Sequence, residues 1–323
     1  MAYVQTRTIG GTAVSQILGQ NKWGGPWDAW RKITGRFTVP VNAAMRRGTR
    51  LEGPVAEVAE EALGMTLIEP ATGTRIVDDV FSCTVDRFAY DGEDLAGIVE
   101  IKTAGTRSEL TPVPEHYALQ LQHYLWGFNL SCGWLVGLKA EDDVLEMLDD
   151  AEDDVLEMLD DAEDVRKALD RGVAELVIHK VTRDPFYADR IIPRLRDWFK
   201  SYVETDTPPP ADGSDGCRQG LGQFYTGIAD VMEMTDEAEA LLLKRMELKK
   251  TEKEVTAERK SVENQLRQMI GEHRGVKGRG LGFSVSRVQG KMKLDTVSLE
   301  RDHPGLMSSF MVRGKPHERF NFT

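Results

Sequence analysis

Cysteine is scarce in this chain of 323 residues: Cys83, Cys132 and Cys217 are its only three, far apart in sequence. Dispersed thiols of that number build neither a disulfide framework nor a zinc ribbon, and they cannot supply the four ligands of an iron–sulfur cluster. Long apolar runs are also missing; none approaches the ~18–20 residues of a membrane span. The opening Met-Ala-Tyr-Val-Gln-Thr-Arg has no apolar signal core, so a reducing cytoplasm is the expected compartment and no membrane partner is expected. His116 and His123 lack Cys or His partners at ligand spacing, so they read as helix or loop residues rather than zinc ligands. No phosphate loop is present either. Gly275-Val-Lys-Gly-Arg-Gly-Leu-Gly282 has no Lys-Ser/Thr after its last glycine, so it reads as a turn into the strand Phe283–Val288.

Positive charge is in deficit, with a formal net charge of −12. At first sight that excludes a nucleic-acid partner. The excess is local, however: residues 140–164 hold fourteen acids and no Lys or Arg, and setting them aside leaves 39 acids against 41 bases. Distribution, not net charge, therefore decides whether DNA can bind. The acidic stretch is an internal duplication: the eleven residues from Ala140 to Asp150 recur unchanged at 151–161, and a third copy begins at Ala162. Val144, Leu145, Met147 and Leu148 repeat about three helical turns on, which keeps one apolar stripe. This reads as a solvated acidic helix inserted in a domain; a docking arm for a basic partner and a DNA-repelling guard are the sharper alternatives.

What the chain does have is a stretch from Phe81 to Tyr124 around which the rest is arranged. Glu100 and Lys102 are two apart in the β-branched run Gly97-Ile-Val-Glu-Ile-Lys, so on a strand they face the same side. Asp86 lies in the preceding strand, which a turn at Tyr90-Asp-Gly92 folds back beside Glu100. Two acids and a lysine on one sheet face repel apolar packing but suit a hard cation. Gln120 and Tyr124, i and i+4, share a face of the next helix. Upstream, Arg46-Arg-Gly-Thr-Arg-Leu-Glu52 opens a helix with an apolar stripe at Leu51, Val55, Val58 and Ala59. On spacing alone Glu52 reads as a surface acid of the first helical turn; the company of Asp86 and Glu100 promotes it. Trp23, Trp27 and Trp30 read as core and helix packing in preference to base stacking.

Periodicity predicts a helix to about Leu63 and strands at Thr66–Glu69, Arg75–Arg87 and Leu95–Thr103. A helix around Tyr117–Asn129, strands at Gly133–Leu138 and Ala174–Val181, and a helix around Ala188–Val203 follow. The order is that of one α/β domain with a mixed sheet flanked by helices, spanning 1–204 with the acidic repeat as an insertion at 140–164. Thr205–Gly216 is Pro/Gly/Asp-rich, giving a linker over 205–220 and an accessory region over 221–323. That region holds one long helix, about Thr235–Glu272, with a thin heptad seam at Leu241, Leu248, Val255, Val262 and Met269, then a small α/β tail.

Taken together, these residues resemble the YqaJ-type viral recombinase family, relatives of phage lambda exonuclease within the PD-(D/E)xK nucleases. The matching elements are Ile9-Gly-Gly-Thr-Ala13, Arg46–Glu52, Cys83-Thr-Val-Asp86, Val99-Glu-Ile-Lys-Thr103, Leu119-Gln-Leu-Gln-His-Tyr124 and Arg183-Asp184, in family order across about 200 residues. The departure is Val85-Asp86-Arg87, where the family shows Pro-Asp-Gly. The resemblance implies a restriction-endonuclease-like fold and a metal-dependent 5′→3′ double-stranded DNA exonuclease of phage recombination, leaving 3′ overhangs for a single-strand annealing protein. It implies Mg²⁺ or Mn²⁺, two ions in all, double-stranded DNA ends as substrate, and a ring-shaped homotrimer in the host cytoplasm. Asp86, Glu100 and the Ile101 carbonyl are expected to hold the first ion and Glu52 to help with the second. Lys102 is expected to orient or deprotonate the attacking water, with Gln120 and Tyr124 supporting from the helix. Arg7, Thr12 and Thr84 are candidates for gripping the 5′-phosphate; each threonine reads equally well as a cap or strand residue. Two alternatives stand beside this: a restriction-like or structure-selective endonuclease of the same fold, and a non-catalytic DNA-binding or docking protein organised by the acidic repeat.

Overall fold

The computed structural model describes residues 7–71, 74–141, 144–145, 161–225, 232–278, 281–285 and 295–310. Most of the acidic repeat and the end of the tail lie outside the described residues. Met1–Thr226 is one compact unit and Gly227–Thr323 a second.

The first unit is built on a mixed sheet in the order β1-β4-β5-β6-β7. β1 is Thr66–Ile68, β4 Arg87–Asp91, β5 Asp94–Gly105, β6 Cys132–Ala140 and β7 Ala174–Thr182. β4 and β5 form a hairpin closed by Asp91 opposite Asp94. Gly92, at φ 63°, takes the left-handed corner that L side chains avoid. β5 then pairs parallel with β6, Glu100 opposite Leu135 and Lys102 opposite Gly137. A parallel neighbour cannot be reached by a tight turn, and α4 (Glu115–Phe128) makes the crossover. The expected α/β mixed sheet with flanking helices is thus the observed fold.

Alternation along β5 sorts its side chains into two layers. Val99 and Ile101 pack with Leu51, Val55 and Ala59 of α3 (Ala43–Leu63). Ile98 faces the other way, against Leu121, Tyr124 and Leu125 of α4. Glu100 and Lys102 share the parity of Ile98, so the polar pair sits on the α4 side. A third core joins Trp27 and Trp30 of α2 (Pro26–Ile33) to Phe81, Tyr187, Leu195, Phe199 and Val203. The last four come from α6 (Tyr187–Trp198) and the π-helical turn Phe199–Glu204 that prolongs it.

Several expectations shift. The stretch Arg75–Arg87 is not one strand but β2 (Arg75–Ile76) and β3 (Ser82–Cys83), paired as a small ribbon. The Asp78 carboxylate accepts from the Val80 and Phe81 amides at 2.8 and 3.0 Å, which turns the chain between them. Asp86 therefore stands just before β4 rather than mid-strand. Trp23 is not core: it is 62% exposed, while Trp27 and Trp30 are buried as expected. Residues read as linker carry α7 (Asp215–Phe224), whose Cys217 is buried with the α2 aromatics. Phe224 of α7 packs edge-on against Trp27 and Trp30. Apolar anchoring there offsets the loop-like composition.

Of the acidic insertion, the described Leu145 and Ala162 are buried in the α3 core, and Val165, just past it on the same helix α5 (Asp161–Asp170), is buried with them. In the second unit, α8 runs Asp236–Ile270 from a Thr235 cap whose hydroxyl accepts from the Ala238 amide. Its seam residues Leu241, Leu248, Val255, Val262 and Met269 are all exposed. The glycine-rich stretch forms β8 (Gly275–Gly278) and β9 (Leu281–Ser284), an antiparallel pair. Among the described residues no helix is long and apolar enough to cross a membrane.

Candidate active site

The hairpin register places Arg87 opposite Val99, which carries Asp86 to the level of Glu100 and Ile101. Its Oδ2 accepts from the Ile101 amide at 2.7 Å. Asp86 is thereby fixed across the strand gap where no ladder bond could hold it. On the α4 side, Glu100 Oε1 accepts from Gln120 Nε2 at 2.7 Å and from Lys102 Nζ. Gln120 Nε2 also donates to the Tyr124 hydroxyl at 3.0 Å. The i, i+4 face of α4 and the i, i+2 face of β5 therefore close on each other, joining Glu100, Lys102, Gln120 and Tyr124 in one hydrogen-bonded set.

Electrostatics in this set are unbalanced. Glu100 is 2% exposed, and its second oxygen, Oε2, is enclosed with no hydrogen-bond partner. Burial, with the negative charges of Asp86 and Glu52 adding and Lys102 opposing, pushes its carboxyl up to about 8. Burial works to lower the Lys102 ammonium, yet the facing charges of Glu100 and Asp86 outweigh it and hold Lys102 above its ordinary value. An unpartnered buried carboxylate oxygen carries a full desolvation cost, which either a proton or a bound cation would relieve.

Glu52 reaches toward the acids from the opposite layer, on α3. Its Oε1 accepts from the Arg87 guanidinium at 2.6 Å, and burial with the nearby Asp86 charge raises its carboxyl above the usual range. Among the described residues no group of three or more acids, histidines or cysteines is drawn into a metal cage. Arg7 donates to the Val203 carbonyl at 2.7 Å and faces Asp206 at 3.9 Å. Thr12 is exposed in the first turn of α1 (Gly11–Ile17). The Thr84 hydroxyl lies 2.9 Å from that of Thr74. None of those three enters the Glu100 set.

Reading the sequence alone missed Tyr117, whose ring lies 5.6 Å beneath Lys102 Nζ. Its signal was available, since position 117 is three before Gln120 and so on the same helix face. The Glu52–Arg87 pair had no sequence signal, because it depends on how far α3 slides along the sheet. Beneath the set, His123 is wholly buried. Its Nε2 donates to the Ser82 carbonyl at 3.0 Å, and its Nδ1 lies 3.3 Å from the Tyr187 hydroxyl.

The mixed α/β unit thus sets one Asp at the hairpin entry beside a Glu-x-Lys on the neighbouring strand, the juxtaposition that the sequence motifs lead one to expect. Residues 2–129 match the family model described as YqaJ-like viral recombinase domain, so the resemblance carried by the motifs holds over that segment. The uncharacterized protein YqaJ of Bacillus subtilis (strain 168) is 35% identical over 126 residues, 36% of this chain and 38% of that protein. The chain thus spans well under half the length of the curated relative it matches. Among solved structures, the chain is similar to an alkaline exonuclease (LHK-Exo) from Laribacter hongkongensis, with a TM-score of 0.40, 17% identity, and 62% of this chain and 90% of that one covered. It is also similar to a phage related exonuclease from Haemophilus somnus 129PT, with a TM-score of 0.40, 14% identity and coverages of 62% and 96%.

Proposed function

We propose that this protein is a metal-dependent 5′→3′ exonuclease of double-stranded DNA, acting in recombination and leaving 3′ single strands for an annealing protein. The observation that carries the reading is the buried, unpartnered Glu100 Oε2 beside Asp86, with Lys102 on the same strand face. A binding module gains nothing from carboxylates set beside phosphate; a hydrolase does.

Asp86, Glu100 and the Ile101 carbonyl would hold one Mg²⁺ or Mn²⁺, and Glu52 would help hold a second after exchanging its contact with Arg87. When bound, such ions supply a nucleophilic water at neutral pH and offset charge at phosphorus and the leaving oxygen. Lys102 orients the attacking water or neutralises charge as it develops, its ammonium held by Glu100. Gln120 fixes the Glu100 carboxylate, and Tyr124 fixes Gln120. Arg7, Thr12 and Thr84 would grip the terminal 5′-phosphate, which gives the reaction its direction; Arg7 would leave the Val203 carbonyl to do so.

The same fold and acids also serve an endonuclease. Linear and covalently closed circular duplex, each with Mg²⁺ and with chelator, separate the two. Digestion of the linear form alone, abolished by chelator, is expected. Cleavage of the closed circle would transfer the site to the endonuclease reading, and no metal-dependent digestion of either would end the assignment.

A further inference from the structure

A file of rings leads outward from Lys102. Lys102 Nζ stands over Tyr117, Tyr117 and His116 are 4.1 Å apart between centroids, and His116 meets Trp23 edge-on at 5.0 Å. Trp23 ends the file with 62% of its surface exposed, the most of the six tryptophans. A tryptophan left open costs apolar hydration that a core position would have removed. Lys22 Nζ lies 4.4 Å over the Trp23 ring, and Lys22 forms no ion pair with a carboxylate among the described residues. Burial and the charges of Lys22 and Lys102 hold the His116 imidazole below its ordinary value, so at neutral pH the file is uncharged rings flanked by ammonium groups. Its Nε2 is enclosed without a hydrogen-bond partner.

We propose that Trp23 is a stacking platform for a nucleobase of the DNA strand close to the scissile linkage, with Lys22 taking the adjoining phosphate. The inference rests on the nuclease reading and adds to it a positioning residue. An exposed aromatic beside a flexible cation is the combination that holds single-stranded nucleic acid without regard to sequence, because every base offers a π-face. A base arriving on Trp23 displaces the Lys22 ammonium from the ring toward the backbone phosphate. Continuity of the file with Lys102 selects DNA at this site over an apolar partner, since both of its ends carry positive charge.

The test uses the full chain and linear duplexes carrying 2-aminopurine at successive positions from the 5′ end, bound in chelator so that no digestion occurs. Stacking on an indole quenches that fluorophore. One position is expected to be quenched by the wild type and not by Trp23→Ala, with Trp23→Phe intermediate. In Mg²⁺, Trp23→Ala is expected to raise the KM for DNA ends by about 5- to 150-fold, the range for loss of one stacked base, with kcat changed far less and thermal unfolding unmoved. If Trp23→Ala matches the wild type in quenching and KM while digestion proceeds, the platform is refuted and the nuclease reading stands. If the wild type neither binds nor digests DNA, both fall together.

Discussion

At the scale of single residues, the molecule places charged and polar groups where burial sets their behaviour. His123 is the clearest case. Burial, against hydrogen bonds that favour the cation, pulls its imidazole down to about 4. A histidine whose folded value lies below its unfolded one contributes stability that is present above the unfolded value and lost as pH falls through the folded one. The window is therefore about pH 6.5 down to 4, and the loss is about 3 kcal/mol. Urea unfolding at pH 7 and pH 4.5 is expected to show a smaller difference for His123→Asn than for the wild type; an equal difference would mean His123 is not the titrating group. Glu100, raised in the absence of a cation, gives the converse expectation. Mg²⁺ is expected to raise the Tm more at pH 8 than at pH 6, because fewer protons then compete for the carboxylate. A Tm gain independent of pH would separate Glu100 from the ion.

At the scale of elements, two contacts decide the site: the β4–β5 hairpin that brings Asp86 to Ile101, and the seating of α1 against α4. A methyl at Gly11 would meet the Tyr124 ring at 2.6 Å, and that ring is buried and cannot swing away. Gly11→Ala is expected to cost about 1–3 kcal/mol through overpacking and to lower kcat by loosening Tyr124 from Gln120. Unchanged stability and turnover would show that α1 yields freely. The central part of this arrangement was legible in the sequence. Alternation in Ile98-Val-Glu-Ile-Lys102 set the face of the polar pair, the Asp-Gly turn set the hairpin, and the spacing of Gln120 and Tyr124 set the helix face. What stayed hidden depended on packing between distant segments. The Asp78 turn divided a stretch that reads as one strand, α7 gained a seat on the α2 aromatics that its Gly/Asp-rich surroundings do not announce, and Glu52 came to lie in the layer opposite Glu100. Trp23 lies seven residues before Trp30 in one tryptophan-rich stretch, but it stands in the loop ahead of α2 while Trp27 and Trp30 are on the helix, and that placement leaves it open.

At the scale of the whole molecule, a net charge of −12 does not by itself oppose the proposed DNA substrate, because of where the charge lies. The acids crowd into the repeat, and the segment holding the site is near neutral with bases exposed along the start of α3 at Arg46 and Arg50. Steering of a polyanion depends on that local field. If Arg7, Thr12 and Thr84 hold a terminal phosphate, 5′-phosphorylated duplex is expected to be digested faster than its 5′-hydroxyl counterpart, and the difference to shrink in Arg7→Ala; equal rates on the two ends would remove all three from the site. The central claim, that Asp86, Glu100 and Lys102 form a cation-loaded centre for cutting DNA, is tested most directly by digesting duplex labelled at either end with the wild type and with Lys102→Ala, in Mg²⁺ and in chelator. The expected result is metal-dependent release of the 5′ label ahead of the 3′ label by the wild type, and a rate at least ~10²-fold lower in Lys102→Ala with DNA binding retained. Full activity in Lys102→Ala, or digestion that persists in chelator, would contradict it.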